Sequence, residues 1–145
     1  MSNAWIVVAH RAGARIFLRR GHEAALELLE RIEHPAGLRQ DREHDSDRPG
    51  RTHDRFGAGR HALSSEESPR ERSAADFARE LAARLAAART AQACDRVVLV
   101  AEPHLLGLLR EALDEPTRRC VSGEITRDLV HVDDRDVWSH IEALL

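Results

Sequence analysis

The sequence predicts an α/β fold built on a mixed sheet with helices on both faces, and three observations carry that expectation. Three short strand-like runs near the beginning are separated by tight turns. Helical periodicity then begins abruptly around residue 73. An unbroken apolar run at 96–101 is followed at once by a proline-started amphipathic segment. Strands in succession, then alternating helix and strand, give a sheet holding both antiparallel and parallel pairs.

Trp5 to Ala9 is a short β-branched apolar run and reads as a buried strand. It ends in His10-Arg11-Ala12-Gly13, where Gly13 can supply the positive φ of a tight turn. Ala14 to Arg19 resumes as a second strand, with Ile16 and Leu18 opposite Arg15, Phe17 and Arg19. After Gly21-His22, Ala25 to Glu33 alternates again, placing Leu26, Leu28, Glu30 and Ile32 on one face. Short turns make an antiparallel meander the simplest arrangement. A helix over 23–33 is the alternative, because Glu, Ala and Leu also favour helices.

Between Pro35 and Arg72 neither period is sustained, so the sequence predicts a long polar loop at about 35–72. Its eight Arg balance eight Asp plus Glu, and its sizeable apolar residues are Leu38, Phe56 and Leu63. Loops beyond ~15 residues are uncommon in compact domains and are usually functional or disordered.

Ser73-Ala74-Ala75-Asp76 then reads as an N-cap with an acidic first turn. Phe77, Leu81, Leu85 and Ala88 mark the core face of the following helix, with Arg79 and Arg89 on the solvated side. Glu80 and Arg84 are spaced to pair at i,i+4. Arg96 to Ala101 has the composition of a central strand covered on both faces. Glu102-Pro103 starts a helix whose buried stripe is Leu105, Leu106, Leu109, Ala112 and Leu113, and Pro116 closes it. Arg119 to Leu129 is a further strand, with Gly123 marking a bulge. Asp133-Asp134 caps a last helix in which Val137, Trp138, Ile141 and Leu144 face inward.

A three-strand meander followed by β-α-β-α steps is the order of elements in ribonuclease H-like domains. Right-handed crossovers place the fourth strand beside the first. The whole chain, 1–145, reads as a single domain, a size that can bury a real core. A Rossmann domain is disfavoured, because no Gly-rich fingerprint follows the first strand.

Composition excludes several function classes. Aromatic residues are 3% of the chain, too few for a ladder that stacks single-stranded bases. Net charge is −3 although charged residues make up 32%, and all 22 basic residues are Arg. A protein that coats DNA without sequence preference carries a clear basic excess, which is lacking here. Two isolated cysteines, Cys94 and Cys120, point to a reducing compartment. No secretory leader opens the sequence, and no run approaches the ~20 apolar residues that span a bilayer. The expectation is a cytoplasmic protein with no membrane partner, no cofactor and no designed metal site.

The opening Trp5-Ile6-Val7-Val8-Ala9 with Arg11-Ala12-Gly13-Ala14-Arg15-Ile16-Phe17 resembles that of the bacterial host-attachment proteins. Gly57 to Ala62, Phe77 to Ala82, Leu99 to Pro103, Leu106 to Arg110 and Arg127 to Leu129 are similar to the same family, so the likeness spans nearly the whole chain. The resemblance implies a fold related to the middle domain of archaeo-eukaryotic release factors, whose Gly-Gly-Gln loop promotes peptidyl-tRNA hydrolysis. It therefore implies a role at tRNA or the ribosome, such as rescue or release. This chain departs from that motif: Gly57-Ala58-Gly59-Arg60-His61 stands at the corresponding place and contains no Gln.

The candidate RNA- or ligand-binding residues are Arg51, Arg55, Gly57, Gly59, Arg60 and His61. Arg forks grip phosphate, glycines allow close backbone approach, and His61 is the acid-base candidate. A solvated insertion whose Arg and Asp neutralise each other explains the same residues equally well. His44, Asp45, Asp47, His53 and His61 are ligand types, but their spacing matches no established metal motif. A ribonuclease H-type nuclease needs a carboxylate on the first strand, which ends instead in His10, leaving only Glu102 and Asp128. Cys94 and Cys120 read as small buried hydrophobes, the second lying in a strand. His104 and Arg110, flanking a helix start, suit a phosphate or simply the surface. The rival function class is a non-catalytic protein-interaction module acting indirectly in attachment. Whether the chain is an enzyme, which partner it takes and its oligomeric state stay open at this level.

Overall fold

A computed structural model describes residues 2–22, 25–36 and 68–145. The chain begins with strands β1 (Asn3–His10), β2 (Gly13–Arg20) and β3 (Glu27–Glu33). Helix α1 (Pro69–Thr90), strand β4 (Arg96–Ala101) and helix α2 (Pro103–Ala112) follow. A one-turn helix α3 (Glu115–Arg118), strand β5 (Val121–Thr126) and helix α4 (Val137–Ile141) complete the described elements. The strands lie in the order β3-β2-β1-β4-β5. β1 with β2 and β2 with β3 are antiparallel, whereas β1 with β4 and β4 with β5 are parallel. This is the ribonuclease H-like mixed sheet that the order of elements implied, with the fourth strand beside the first.

Each face has its own core. Val7, Ile16, Val97 and Leu99 point to one side, under Phe77, Leu81 and Leu85 of α1 and Leu105 and Leu109 of α2. Ile6, Val8, Phe17, Val98 and Val100 point to the other, under Ile125, Leu129 and the α4 residues Val137 and Ile141. β4 is buried on both sides, as its unbroken apolar run requires.

The third strand expected within 25–33 forms over Glu27–Glu33, and the helix alternative falls away. Several other local expectations are corrected. A bulge in β3 splits the face proposed for it: Leu28 opposes Phe17, while Glu30 and Ile32 oppose Ile16 and Ala14. Gly13 is needed for close packing and not for positive φ, since a Cβ there would lie 2.6 Å from the Ile32 carbonyl oxygen. The positive φ belongs to Gly21, at 56°.

α1 begins one turn earlier than Ser73, because Ser68 Oγ accepts the Glu71 N–H at 3.1 Å and Pro69 fills the first turn. Ser73 is buried inside the helix. Arg84 bonds Glu30 of β3 rather than Glu80. Arg89 is drawn inward, its Nε donating to the fully buried Thr117 Oγ1 at 3.1 Å. Pro116 opens α3, capped by Asp114, instead of ending α2. Cys120 lies just before β5, and Leu144 is exposed. Asp133 and Asp134 make no side-chain cap for the turn they start. The bulge expected at Gly123 is present, where the β4–β5 register shifts between Val97 and Val98.

Candidate functional site

In open sheets with parallel strands, ligands bind beyond the carboxyl ends of the strands. β1, β4 and β5 end here at His10, Ala101 and Thr126. β3, parallel in direction to β1, ends at the same edge. The N-terminus of α1 arrives there too: His34 Nε2 bonds Ser73 Oγ at 2.9 Å, and the His34 ring stacks on Phe77 with centroids 4.5 Å apart. His104, in the first turn of α2, bonds Glu71 at 2.9 Å.

A cleft of about 750 Å³ opens at this edge, lined among others by His10, Gly13, Arg15, Arg31, His131 and Arg135. Its floor is set by Arg15, whose side chain is only 11% exposed. Arg15 Nη1 donates to the Val132 carbonyl at 2.6 Å and to Asp134 Oδ1 at 2.9 Å, and Nη2 donates to the Leu129 carbonyl at 2.6 Å. An inward-facing guanidinium thus satisfies backbone oxygens that would otherwise be stranded in the 129–132 segment. Arg31 approaches the other oxygen of Asp134, so one carboxylate sits between two guanidinium groups.

His10 Nδ1 accepts the Ala12 N–H at 3.2 Å. A neutral ring in that arrangement carries its proton on Nε2. Burial lowers the His10 pKa below its ordinary 6.5, with Asp128 opposing and Arg15 and His131 assisting. His10 is therefore an uncharged donor at neutral pH. Beside it, Arg11 Nη1 is buried and has no hydrogen-bond partner among the described residues.

The two carboxylates left to a nuclease reading are engaged locally. Glu102 uses both oxygens on its own helix, accepting from Leu105 N at 2.8 Å and His104 N at 3.1 Å. Asp128 Oδ1 accepts the Val130 N–H at 3.1 Å. No group of three or more His, Cys, Asp and Glu among the described residues could hold a metal ion. His104 is engaged with Glu71, and Arg110, in the last turn of α2, pairs with Glu124. Cys94 and Cys120 are free and border a separate cavity at the opposite edge of the sheet. Burial, then Cys120 and Asp95, push the Cys94 thiol up to about 11, which suits a buried hydrophobe and not a nucleophile.

Arg51, Arg55, Gly57, Gly59, Arg60 and His61 lie outside the described residues, as do His44, Asp45, Asp47 and His53. The described residues that flank this segment, Ala36 and Ser68, follow β3 and cap α1 at the cleft edge. Sequence reasoning missed Arg15, Arg31, His131, Asp134 and Arg135. The available signal was Arg15 sharing a strand face with Phe17: an Arg at an inward position demands partners. No helix among the described residues is long and apolar enough to cross a membrane.

No curated protein is similar enough to count as a match. Among solved structures, 98% of this chain aligns with 38% of an "Archaeal protein" at 15% identity and a TM-score of 0.46. It aligns over 98% of its length with 39% of an archaeal translation termination factor, at 12% identity and a TM-score of 0.47. The chain thus spans less than two fifths of the length of either structure. A family model does match, from residue 5 to residue 141, and the chain belongs to the family described as "Protein required for attachment to host cells".

Proposed function

We propose that this member of the host-attachment family is a cytoplasmic, release-factor-like protein that associates with RNA, at tRNA or the ribosome, in rescue or peptidyl-tRNA metabolism. The observation that supports it is convergence at one sheet edge. His10, Arg31, His131 and Arg135 line a cleft there, and the flanks of the Arg-rich segment 37–67 meet the same edge. On this proposal Arg51, Arg55 and Arg60 contact phosphates, Gly57 and Gly59 permit close approach, and His61 is a polar or acid-base participant. The missing Gln argues for binding or an altered chemistry rather than standard release-factor hydrolysis.

The test is cosedimentation with purified ribosomes at low and physiological salt, comparing the intact chain with the Arg55→Ala/Arg60→Ala variant. Association that survives physiological salt and weakens in the variant supports the proposal, because lost phosphate contacts reduce both affinity and salt dependence. No cosedimentation at either salt overturns it.

One observation favours the second reading, a non-catalytic interaction module acting indirectly in attachment. Among the described residues β3 is an outer strand of the sheet, and it carries two exposed large apolar residues, Leu28 at 36% and Leu29 at 39%. Edges of this kind are templates for strand addition by another chain. Leu28→Ser/Leu29→Ser leaves ribosome association intact on the first reading and abolishes partner binding on the second.

A further inference from the structure

We infer that the cleft beside His10 is a subsite for one phosphate group of an RNA strand, held by His10 Nε2–H, Arg31 and Arg135. The inference rests on the RNA reading above for the source of the phosphate, but the subsite itself stands on the cleft's own geometry.

A volume of about 750 Å³ lies within the range of small-ligand sites. The donors differ in how committed they are. Arg15 gives three N–H groups to Leu129, Val132 and Asp134 and is mostly buried, so it is a positioning residue that holds 129–134 against β2. Arg31 gives one nitrogen, Nη2, to Asp134 and is 60% exposed, leaving the rest of its fork for a ligand. Arg135 is 84% exposed and only 3.7 Å from Asp133, a loose pairing that a phosphate can displace. His10 lines the cleft, its Nδ1 held by the Ala12 N–H, and among the described residues no group accepts from its Nε2.

The acids of the cleft are largely occupied. Asp134 is shared by two guanidinium groups, which leaves a net positive charge at that point, and Asp133 sits beside Arg135. Asp128, facing His10, caps Val130. Glu33, at the exposed end of β3, is the remaining carboxylate of the lining among the described residues. A cleft of this balance suits a single phosphate held in a defined place, not a long polyanion held by charge alone. A neutral imidazole donor and two guanidinium forks match the oxygens of one such group.

The experiment is NMR titration of the 15N-labelled full chain with uridine 5′-monophosphate, uridine, orthophosphate and a 5′-phosphorylated trinucleotide. Saturable shifts at His10, Ala12, Gly13 and residues 130–135 with the monophosphate, and none with uridine, are expected. Tighter binding of the trinucleotide than of orthophosphate assigns the phosphate to RNA; equal binding makes this a small-anion site and overturns that assignment. Arg31→Ala and Arg135→Ala, both at exposed positions, weaken the monophosphate at least fivefold each. His10→Gln, which keeps a donor, stays within about twofold of the parent, whereas His10→Ala loses as much as the Arg variants. Uridine acting like its monophosphate, or no saturable shift with any phosphate, overturns the subsite. If ribosome cosedimentation persists in that case, the RNA reading survives without the cleft; if it is lost as well, both fall.

Discussion

The two faces of the sheet are closed by different means. One is covered by the long helices α1 and α2, whose leucines and Phe77 form a continuous apolar layer. The other is covered by α4, five residues long, and a connecting segment tied down by polar contacts. Arg15 clamps residues 129–134 there, and the Arg19 guanidinium lies 4.3 Å above the Trp138 ring. The difference teaches where a site can form. A face sealed by helix packing excludes solvent. One sealed by guanidinium contacts keeps polar donors near the surface, and the cleft opens at its border.

The comparison breaks most visibly in core substitutions. Leu81→Ala, under α1, is expected to cost about 3–5 kcal/mol, because the packed helix layer cannot collapse into the void. Ile141→Ala on the opposite face is expected nearer about 2–3 kcal/mol, since a short helix can settle inward. Urea denaturation of the two variants checks this, and equal costs would mean that both faces are equally rigid.

Arg15→Met tests the polar closure. Methionine fills much of the volume but leaves the Leu129 and Val132 carbonyls without their donor. An expected loss of about 3 kcal/mol follows from two acceptors left unsatisfied and one ion pair removed. Faster amide exchange should be confined to 127–136, with α1 and α2 unchanged. Uniform acceleration would show that the clamp supports the whole fold.

A smaller effect is expected from pH. His10 has a folded pKa lowered by burial, so the unfolded chain binds more protons than the folded one below about 6.5. Stability is then fully present above the unfolded value and is lost as pH falls toward the folded value of His10, levelling off below it. Comparison of Tm against pH for the parent and His10→Gln isolates this contribution. Identical slopes through that window would remove the burial of His10 as a factor.

How much of this was legible in the sequence follows from which forces are local. Strand and helix existence came from periodicity, so the meander, the Val97–Ala101 core strand and the Leu105–Leu109 stripe were readable. The bulge in β3 was not, because Leu26, Leu28 and Ile32 share one parity along the chain and the shift appears only in the pairing with β2. The cleft was not readable either: it joins β2 to a segment more than a hundred residues later, through an Arg–carbonyl clamp that no spacing encodes. The Arg and Gly residues singled out between 51 and 61 belong to the undescribed segment, so their candidacy rests on residue type and family likeness.

The smallest effect concerns where α1 begins, the layer that closes the helical face. Sequence pattern favoured Ser73 as its cap, whereas Ser68 caps it through the Glu71 N–H. Ser68→Ala is expected to cost about 1 kcal/mol, the usual value of a lost N-cap. Ser73→Ala should cost less, about 0.5 kcal/mol, because two terms oppose each other. The variant loses the 2.9 Å contact from His34 to the hydroxyl, yet His34 keeps the Ser73 carbonyl at 3.2 Å. Alanine also favours a helix interior over serine by about 0.5 kcal/mol. Thermal unfolding of the two variants orders the costs. If Ser73→Ala is the worse of the two, the first turn of α1 frays in solution, and the helical face is closed only from Ser73 onward.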